Sequence, residues 1–474
     1  MAGSGEQHYR RCCEREDGAT FGVGRKMGVF GGRHTDKAFP PRAKSIGKWR
    51  NYTEDEIEKQ ANWVRASEWY QQRHSRHERA NRVQLFDSAS IDPRQIAQGS
   101  VGDCWLIAAF ACVVAHDPQI VQAAFVDGKA TSRCKYRVRL FDRQAEEWRI
   151  IVIDDHIPID SRTHQPIFAQ STGAAMWVSL LEKAFAKYVG SYAALDGGSI
   201  AFALNALTGD PVFRMKRYDF AAGAWRRLDV TVRSDKLGKK QMGFRPSDEA
   251  HDSDGTFLML CGYCRRRALI GASFGQKKQL DPSSGALLPH GWSAVLDPES
   301  GDYYYIHPAT STSQWEPPQD TVVSSASGMN GEELLACGLV GGHAYSVLDA
   351  KLLRLLDGSA RQLLRLRNAW GDQHHAQWTG AWGPGAAEWA MEEHRWVYDL
   401  LRPDELNDGS FWMSWQDFSV VFDKLDFCSS ILRPSDRFPR LPRAEYDSPH
   451  EAFARSFSSM NSPYEVNVEV DIGD

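Results

Sequence analysis

The chain lacks the segments that carry a protein into or across a membrane. Its longest apolar run, Trp105–Ala115, is far shorter than a bilayer span. Residues 1–17 are polar, carry both charge signs and contain no apolar core of a signal peptide. The formal net charge of -5 provides no basic excess for nucleic acid or an anionic membrane surface. We therefore expect a cytoplasmic protein with neither nucleic acid nor a membrane as its partner.

The cysteines do not form the pattern of a disulfide framework. They are nine, an odd number, and are spread irregularly over positions 12, 13, 104, 112, 134, 261, 264, 337 and 428. In a chain of 474 residues this distribution favours reduced thiols. Cys261 and Cys264 have the spacing of zinc ligands, but no second suitably spaced pair accompanies them. We expect these two residues to be core or surface thiols rather than a zinc site.

The two ends of the chain differ in character from its middle. Residues 1–50 are rich in Gly, Arg and Lys, a composition typical of disorder. Thr53–Glu56 is a capping box, and the apolar residues after it have the spacing of one helix over about 54–80. We expect an N-terminal extension, 1–84, that is largely disordered with one helix, and a C-terminal tail, 434–474.

The middle of the chain divides by its hydrophobic pattern. About 85–205 is predicted to be helix-rich, with helices from Cys104 and over 175–189 and strands at 136–140 and 148–153. About 206–280 and 335–433 alternate aromatic and β-branched residues, which predicts strands, one of them at 269–274. We interpret these as an α-rich lobe, 85–205, and a β-rich lobe, 206–433, interrupted by an insert at 288–318.

One run, Gln98–Ala109, places Cys104 directly after a glycine-rich turn and at the start of an apolar helix. The positive end of a helix dipole and its unpaired N–H groups favour the thiolate form of a cysteine there. A thiolate attacks carbonyl carbon well. The pattern therefore predicts that Cys104 is the nucleophile of a cysteine peptidase.

A cysteine nucleophile needs a base within reach and a group that orients the base. His343 follows two glycines at the mouth of a predicted strand. Asn368 stands at the end of another, two residues before Trp370, an indole able to shield a hydrogen bond from water. The order Cys104, His343, Asn368 is the order found in papain-like enzymes.

Five ordered motifs resemble the calpain protease core and cover residues 85–433, about three quarters of the chain. They are Gln98–Ala109, Trp177–Ser199, Gly342–Ser346, Arg367–Gly371 with Trp378–Trp382, and Asp408–Ser414. The resemblance implies an α+β fold, a two-lobe papain-like cysteine peptidase with an α-rich and a β-rich lobe.

The resemblance also implies roles for single residues. Cys104 is expected to be the nucleophile, and His343 its base and later the acid for the leaving amine. Asn368 fixes the imidazole tautomer, and Trp370 covers the pair. Gln98 donates its amide to the developing oxyanion beside the Cys104 N–H, a type of contact worth about 2.7–4 kcal/mol.

Calpain cores resemble calcium switches, in which each lobe holds one ion. Calcium prefers several oxygen ligands, usually carboxylates. The acidic positions of the family are neutral here at Gln95, Ala175, Gln377, Pro384 and Ser410, whereas Asp408 is kept. We therefore expect weak or absent calcium dependence, no required cofactor, and only a remnant calcium position at Asp408.

The insert at 288–318 resembles a WW domain, a small all-β module of three strands. Two tryptophans, Trp292 and Trp315, flank an aromatic strand and the turn at 299–302. The resemblance implies that Tyr304 and Trp315 form an aromatic groove for a proline-rich ligand in the polyproline II conformation.

These observations predict an intracellular cysteine endopeptidase that makes limited cleavages in exposed, extended segments of other proteins. Its WW module would recruit proline-rich partners or substrates, or would dock the chain's own 39–42 or 439–442 as a self-inhibitor. The alternative is a catalytically silent adaptor that acts through its WW module. Acyl transfer of the transglutaminase type is a more distant alternative, because the surrounding motifs do not fit it.

Overall fold

The computed structural model describes residues 32–49, 52–74, 84–86, 91–219, 224–234, 240–274, 281, 283, 288, 292–297, 300–307, 312–318, 333–334, 337–355, 358–369, 377–403, 406 and 408–429. From His34 onward these residues belong to one unit of the chain. None of the described helices is both long and apolar enough to span a bilayer. The tail 434–474 lies outside the described residues.

The helices are α1 (Ala43–Ile46), α2 (Glu54–Gln60), α3 (Ala66–His74), α4 (Cys104–His116), α5 (Gln119–Ala124), α6 (Trp177–Val189), α7 (Ile200–Thr208), α8 (Ser253–Arg265), α9 (Arg395–Leu401) and α10 (Trp415–Val421). The predicted helices at Cys104 and over 175–189 correspond to α4 and α6.

The strands are β1 (Ala61–Arg65), β2 (Ile96–Ala97), β3 (Lys135–Asp142), β4 (Glu147–Asp154), β5 (His156–Asp160), β6 (Gln170–Ser171), β7 (Val212–Asp219), β8 (Ala224–Ser234), β9 (Lys240–His251), β10 (Leu269–Ser273), β11 (Ser293–Leu296), β12 (Tyr303–His307), β13 (Thr312–Gln314), β14 (Glu333–Leu334), β15 (Val340–Gly341), β16 (Ala344–Arg354), β17 (Ala360–Asn368), β18 (Ser410–Ser414) and β19 (Lys424–Cys428). The fold is thus a mixture of helices and antiparallel strands.

The N-terminal segment corrects two expectations. Residues 34–49 are not disordered: Phe39, Ile46 and Trp49 are buried in the hydrophobic core. The single helix expected over 54–80 is wrong, because the chain forms α2, then strand β1, then α3. The capping box at Thr53 does start α2, but the edge of β5 supplies strand partners to residues 61–65. This tertiary pairing overrides the local helical spacing.

The α4 helix runs through the core with every residue from Cys104 to Val114 buried. A helix that is apolar on all sides is stable only when it is covered on all sides. Phe110 packs against Trp177 and Phe185 of α6, with ring centroids 6.1 and 5.9 Å apart. The opposite side of α4 lies against β16 and β10. Cys104 therefore lies at the N-terminus of a helix that is packed on all sides.

An eight-stranded antiparallel sheet in the order β18-β17-β16-β10-β19-β7-β8-β9 forms the second part of the structure. Strand β10, before the insert, pairs with β16, after it, with Gly271 opposite Ser346. The two β-rich stretches on either side of residues 288–318 therefore build one sheet. Because β16 pairs with β10 and both strands lie against α4, the segment around His343 lies near the helix that begins at Cys104.

The segment 288–318 contains a separate three-stranded antiparallel sheet, in the order β11-β12-β13. Val295 lies opposite Tyr304, and Tyr305 opposite Gln314. The Tyr305 ring is buried, and its hydroxyl donates a hydrogen bond to the buried carboxylate of Asp281. The alternation of the strand therefore turns Tyr305 inward and Tyr304 to the other face.

Candidate active site

Cys104 is the first residue of α4, and its side chain is 7% exposed. It lines a cavity of about 420 Å³. The turn before it contains Gly102, where a Cβ would lie 2.3 Å from a carboxylate oxygen of Asp196. A side chain at position 102 would therefore require the Asp196 carboxylate to move. The thiol therefore meets the cavity at the positive end of the helix.

His343 lines the same cavity from the other side of the fold. Its ring is buried, and strand β16 begins at the next residue. Gly342 has φ +73°, a left-handed conformation that glycine adopts without steric cost. The glycine therefore lets the chain turn sharply into β16 and directs His343 toward α4.

Asn368 ends β17 and pairs with Tyr345 of β16, which places it beside His343. Nε2 of His343 lies 2.9 Å from Oδ1 of Asn368, and both side chains are buried. An amide oxygen only accepts, so Nε2 donates the hydrogen. In the neutral ring Nδ1 is then the nitrogen that accepts a proton, which is the state required of a base.

Gln98 and Trp370 are placed less directly. The Gln98 side-chain amide donates to the carbonyl oxygen of Val101 at 3.0 Å, in the turn that precedes α4. Gln98 is not among the described residues that line the cavity. Its role at the oxyanion therefore stays a prediction. Trp370 lies outside the described residues.

One wall of the cavity is bare backbone. At Gly198 a Cβ would lie 2.3 Å from the Trp105 ring, so a side chain has no room there. The Trp105 indole is fixed by a hydrogen bond from Nε1 to the carbonyl oxygen of Leu195, 2.9 Å long. The ring therefore acts as a support that holds Gly197 and Gly198 at the cavity.

The cavity is also lined by an ion pair that sequence reasoning missed. Arg214 bonds Asp426 through two nitrogens of its guanidinium group, Nε to Oδ1 at 2.6 Å and Nη2 to Oδ2 at 2.8 Å. The same Nη2 donates to Ser199 Oγ at 3.0 Å. Ser199 stood in a recognised motif, but Arg214 and Asp426 gave no signal because only the pairing of β7 with β19 makes them opposite neighbours.

Two of the family's calcium positions, Asp408 and Gln95, lie against groups of the protein itself. Asp408 is engaged within the protein: it accepts from the Ser410 N–H at 3.0 Å and lies 3.4 Å from Arg365 Nη2. Gln95 lies against Gly173, where the neutral amide fills the space near position 175. Among the described residues no group of three or more His, Cys, Asp or Glu side chains is arranged to hold a metal.

Three other described thiols are poor nucleophiles. Burial raises the pKa of Cys112 and of Cys261 to about 12, and that of Cys337 to about 11. Burial also raises the pKa of Cys264, and because a zinc ligand must be a thiolate, the raised pKa values of Cys261 and Cys264 oppose a zinc site there. The described cysteines form no disulfide. A thiol reagent at neutral pH is therefore able to distinguish Cys104 from these three.

A cysteine at a helix N-terminus, with a buried imidazole held by an amide oxygen in the same cavity, is the arrangement that defines cysteine proteases of the papain-like class. The family model described as calpain family cysteine protease matches residues 34–429. The chain belongs to this family.

Individual relatives agree with the family match. The chain is 28% identical over 395 residues to the calpain-type cysteine protease DEK1 of Arabidopsis thaliana, and 28% identical over 405 residues to that of Zea mays. It is also 28% identical over 400 residues to the calpain-1 catalytic subunit of Bos taurus. These matches cover 83–85% of this chain, but only 14% of the plant proteins and 41% of the bovine one.

Proposed function

We propose that this protein is a cysteine endopeptidase whose nucleophile is Cys104 and whose base is His343. The observation that carries the proposal is the buried 2.9 Å contact of His343 Nε2 with Asn368 Oδ1, in a pair whose imidazole shares one cavity with the Cys104 thiol. Membership of the family supports the class of reaction.

The reaction follows from these groups. The Cys104 thiolate attacks the carbonyl carbon of a peptide, and the carbonyl electrons move onto the oxygen. As the tetrahedral intermediate collapses, the C–N bond breaks and the His343 imidazolium gives its proton to the leaving amine. His343 then takes a proton from water, the hydroxide attacks the thioester, and Cys104 departs as a thiolate.

The oxyanion of the intermediate needs hydrogen-bond donors. The backbone N–H of Cys104 belongs to the first turn of α4, whose N–H groups have no partner within the helix. We propose Gln98 as the second donor, since its amide is already held in the turn before α4 by the Val101 carbonyl. A substrate carbonyl entering the cavity would then compete for that amide.

The substrate is proposed to be an extended segment of another protein. The bare backbone at Gly197–Gly198 provides donors and acceptors for the backbone of an extended chain. The Arg214–Asp426 pair, which also lines the cavity, provides polar contacts to the side chains of that segment. Hydrolysis of an unstructured protein, with new N-termini identified by mass spectrometry, tests the proposal. Cleavage that requires Cys104 supports it, and cleavage that does not overturns it.

Calcium is proposed not to control this enzyme. The Asp408 carboxylate is bonded to Ser410 and Arg365, and the neutral residues at the other five acidic positions cannot replace carboxylates for this ion. We expect the rate in millimolar calcium and in excess chelator to agree within about twofold, or ~0.4 kcal/mol. The assay is Cys104-dependent hydrolysis of an unstructured protein in both conditions. Activity in calcium but not in chelator would show that other oxygen ligands of the protein bind the ion.

Residues 288–318 are proposed to be a WW module that binds proline-rich segments. Three short antiparallel strands support this, as does the position of two aromatic rings. Trp315 is 59% exposed, and its ring centroid lies 5.6 Å from that of Tyr304 at an interplanar angle of 56°. Two tilted rings on an open face leave a slot for a proline ring. Exposure of a large apolar side chain such as Trp315 is typical of a binding surface.

The structure argues against self-docking of residues 39–42. Phe39 is buried in the core, and the Pro40 carbonyl accepts a hydrogen bond from Ser45 Oγ at 2.6 Å. A segment held in this way is not available to a groove elsewhere. The other candidate, 439–442, lies outside the described residues. We therefore propose recruitment of a separate protein.

Replacement of Trp315 by alanine is expected to weaken binding of a proline-rich peptide by about 30-fold or more, ~2 kcal/mol, the usual effect of losing a central aromatic anchor. Titration of a fluorescent proline-rich peptide into the full chain measures this. Glu316→Ala is the matched control, since Glu316 is the exposed neighbour and should leave the affinity unchanged. Equal binding by the Trp315→Ala protein and by the wild type would exclude this groove.

A further inference from the structure

A second cavity, of about 720 Å³, lies elsewhere in the fold and shares no described lining residue with the cavity of Cys104 and His343. The C-terminal ends of α4 and α8, strands β16 and β17, and the short 3-10 helix Pro93–Gln95 contribute to its wall. A volume of this size is typical of sites that bind small organic molecules. The second cavity is therefore large enough to hold a ligand of its own.

The charged side chains of the second cavity are unequal in number. Five Lys and Arg side chains and three Asp carboxylates line it. Each carboxylate has a cation of the same cavity as its partner: Asp92 with Arg94 at 2.5 Å, Asp349 with Lys351 at 3.0 Å, and Asp408 with Arg365 at 3.4 Å. Two cations, Arg265 and Arg267, are left over. The second cavity therefore carries an excess of two positive charges.

Both of these arginines have unused hydrogen-bond donors. Arg265 ends α8, Arg267 follows two residues later, and both are exposed. Arg267 donates from Nη2 to the carbonyl oxygen of His116 at 2.8 Å. Within the described part of the chain, neither guanidinium has a carboxylate partner, and that of Arg265 has no hydrogen-bond acceptor. Because a guanidinium presents its N–H donors in a planar fork that matches phosphate oxygens, the two side chains are suited to bind an anion.

A third guanidinium lies behind the wall of the second cavity. Arg367 is completely buried and donates to the backbone carbonyl oxygens of two lining residues, Pro93 at 2.6 Å and Asp408 at 2.9 Å. Burial lowers the pKa of Arg367 to about 10, which still leaves the group charged at neutral pH. Its Nη1 is buried and has no hydrogen-bond partner among the described residues, which is uncommon for a polar group in a protein interior. This charge adds to the positive potential at the wall.

The charges of the second cavity decide which class of ligand fits it. Calcium needs about six to eight oxygen ligands, and the three carboxylates here already have cations beside them. A phosphate monoester carries roughly 1.5 to 2 negative charges at neutral pH and three acceptor oxygens, which matches the excess of two positive charges. The apolar side chains of Ile91, Val114 and Leu348 also line the cavity and offer contacts to the organic part of such a molecule.

We propose that the second cavity is a binding site for the phosphate monoester group of an organic phosphate, which Arg265 and Arg267 hold by charge and by hydrogen bonds. A small molecule and a phosphorylated side chain of another protein both present this group, so the two are possible sources of the same chemistry. The site goes beyond the proposed peptidase function and does not depend on it, because no residue of the second cavity is assigned to that reaction.

The test is a calorimetric titration of the full chain with phenyl phosphate near neutral pH. We expect saturable binding, and binding of phenyl sulfate, a monoanion of similar shape, that is weaker by about tenfold or more. Arg265→Gln removes an exposed guanidinium that has no partner in the described structure, and it should weaken phenyl phosphate binding by about tenfold or more. Arg265→Lys keeps the charge but loses the fork, so its affinity should lie between those of the wild type and Arg265→Gln.

Arg266→Gln is the matched control. Arg266 is exposed, lies between the two arginines in the chain and is not among the described residues that line the second cavity. Its replacement removes the same single charge and should leave the affinity unchanged. A loss equal to that of Arg265→Gln would overturn the proposal, since it would show only a general attraction of anions. Equal binding of phenyl sulfate, or no saturable binding of phenyl phosphate at millimolar concentration, would overturn it as well.

A phosphoserine peptide and its unphosphorylated counterpart identify the source of the phosphate group. Binding of the phosphopeptide that is tighter than that of phenyl phosphate, and is lost in Arg265→Gln, assigns the site to a phosphorylated protein. Weaker binding of the phosphopeptide assigns it to a small organic phosphate. The titrations stand apart from the peptidase assay. A protein that binds phenyl phosphate but hydrolyses nothing rejects the enzyme and keeps the site, and the reverse result rejects the site alone.

Discussion

A Cys104→Ala protein is expected to fold as the wild type does and to lose peptidase activity by about 10⁴-fold or more. The reason is chemical: the acyl intermediate cannot form without the sulfur, and a water molecule at the same place is far less nucleophilic at neutral pH. The side chain is small and only 7% exposed, so its replacement by alanine changes little in the packing of α4. The measurement is the rate at which new N-termini appear in an unstructured protein.

Cys112→Ala is the matched control for this experiment. Cys112 lies on the same helix, is buried, and directs its sulfur to the carbonyl oxygen of Ile270 at 3.6 Å. Its thiol pKa is raised to about 12, so it contributes no thiolate at neutral pH. Equal activity in the Cys104→Ala protein would contradict the proposal. A wild-type protein inactive in calcium and in chelator alike would favour the adaptor acting through residues 288–318.

The sequence predicted local backbone features around the candidate site residues, whereas the catalytic roles of those residues stay predictions. Cys104 follows its own glycine turn, and Gly342 precedes His343 for a reason that the structure confirms, its positive φ. Asn368 stood at a predicted strand end, and it does end β17. For Cys104 and His343 the candidate catalytic residue follows a glycine in the chain, so a local pattern contains both.

The sequence did not predict features made by distant pairing. Residues 61–65 look helical by spacing, but they are a strand because β5 lies beside them. Arg214 and Asp426 meet only when β7 and β19 align. A local sequence pattern does not indicate which distant side chain will pair with a buried charged residue.

The N-terminal segment shows how composition can mislead. Residues 34–49 belong to a stretch, 1–50, that is rich in glycine and cations, yet a few apolar side chains fix the segment. The Trp49 ring packs at 5.7 Å, edge-on, against Phe168. Asp36 accepts from the Lys187 ammonium of α6. The average composition of residues 1–50 does not reveal these contacts. Disorder was predicted from that average, whereas a few single side chains determine whether the segment is buried.

A His343→Ala protein is expected to lose hydrolysis by about 10⁴-fold or more, since the base for water and the acid for the leaving amine disappear together. It should also change the thiol itself. The imidazolium stabilises the thiolate, so without it the pKa of Cys104 should rise toward the ordinary value of about 8.5. The thiolate exists above its pKa and is lost as the pH falls through it. Near pH 6, alkylation of Cys104 by iodoacetamide should therefore slow by roughly 100-fold.

His116→Ala is the control for this prediction, because it removes an imidazole from the far end of the same helix. His116 Nδ1 lies 3.1 Å from the Cys112 carbonyl, and burial lowers the pKa of the ring. Its loss should leave the alkylation profile of Cys104 at the wild-type position. A His343→Ala profile that coincides with the wild type would show that another group stabilises the thiolate. In that case the contact of His343 with Asn368 would be structural, and the proposed mechanism would have to assign a different base.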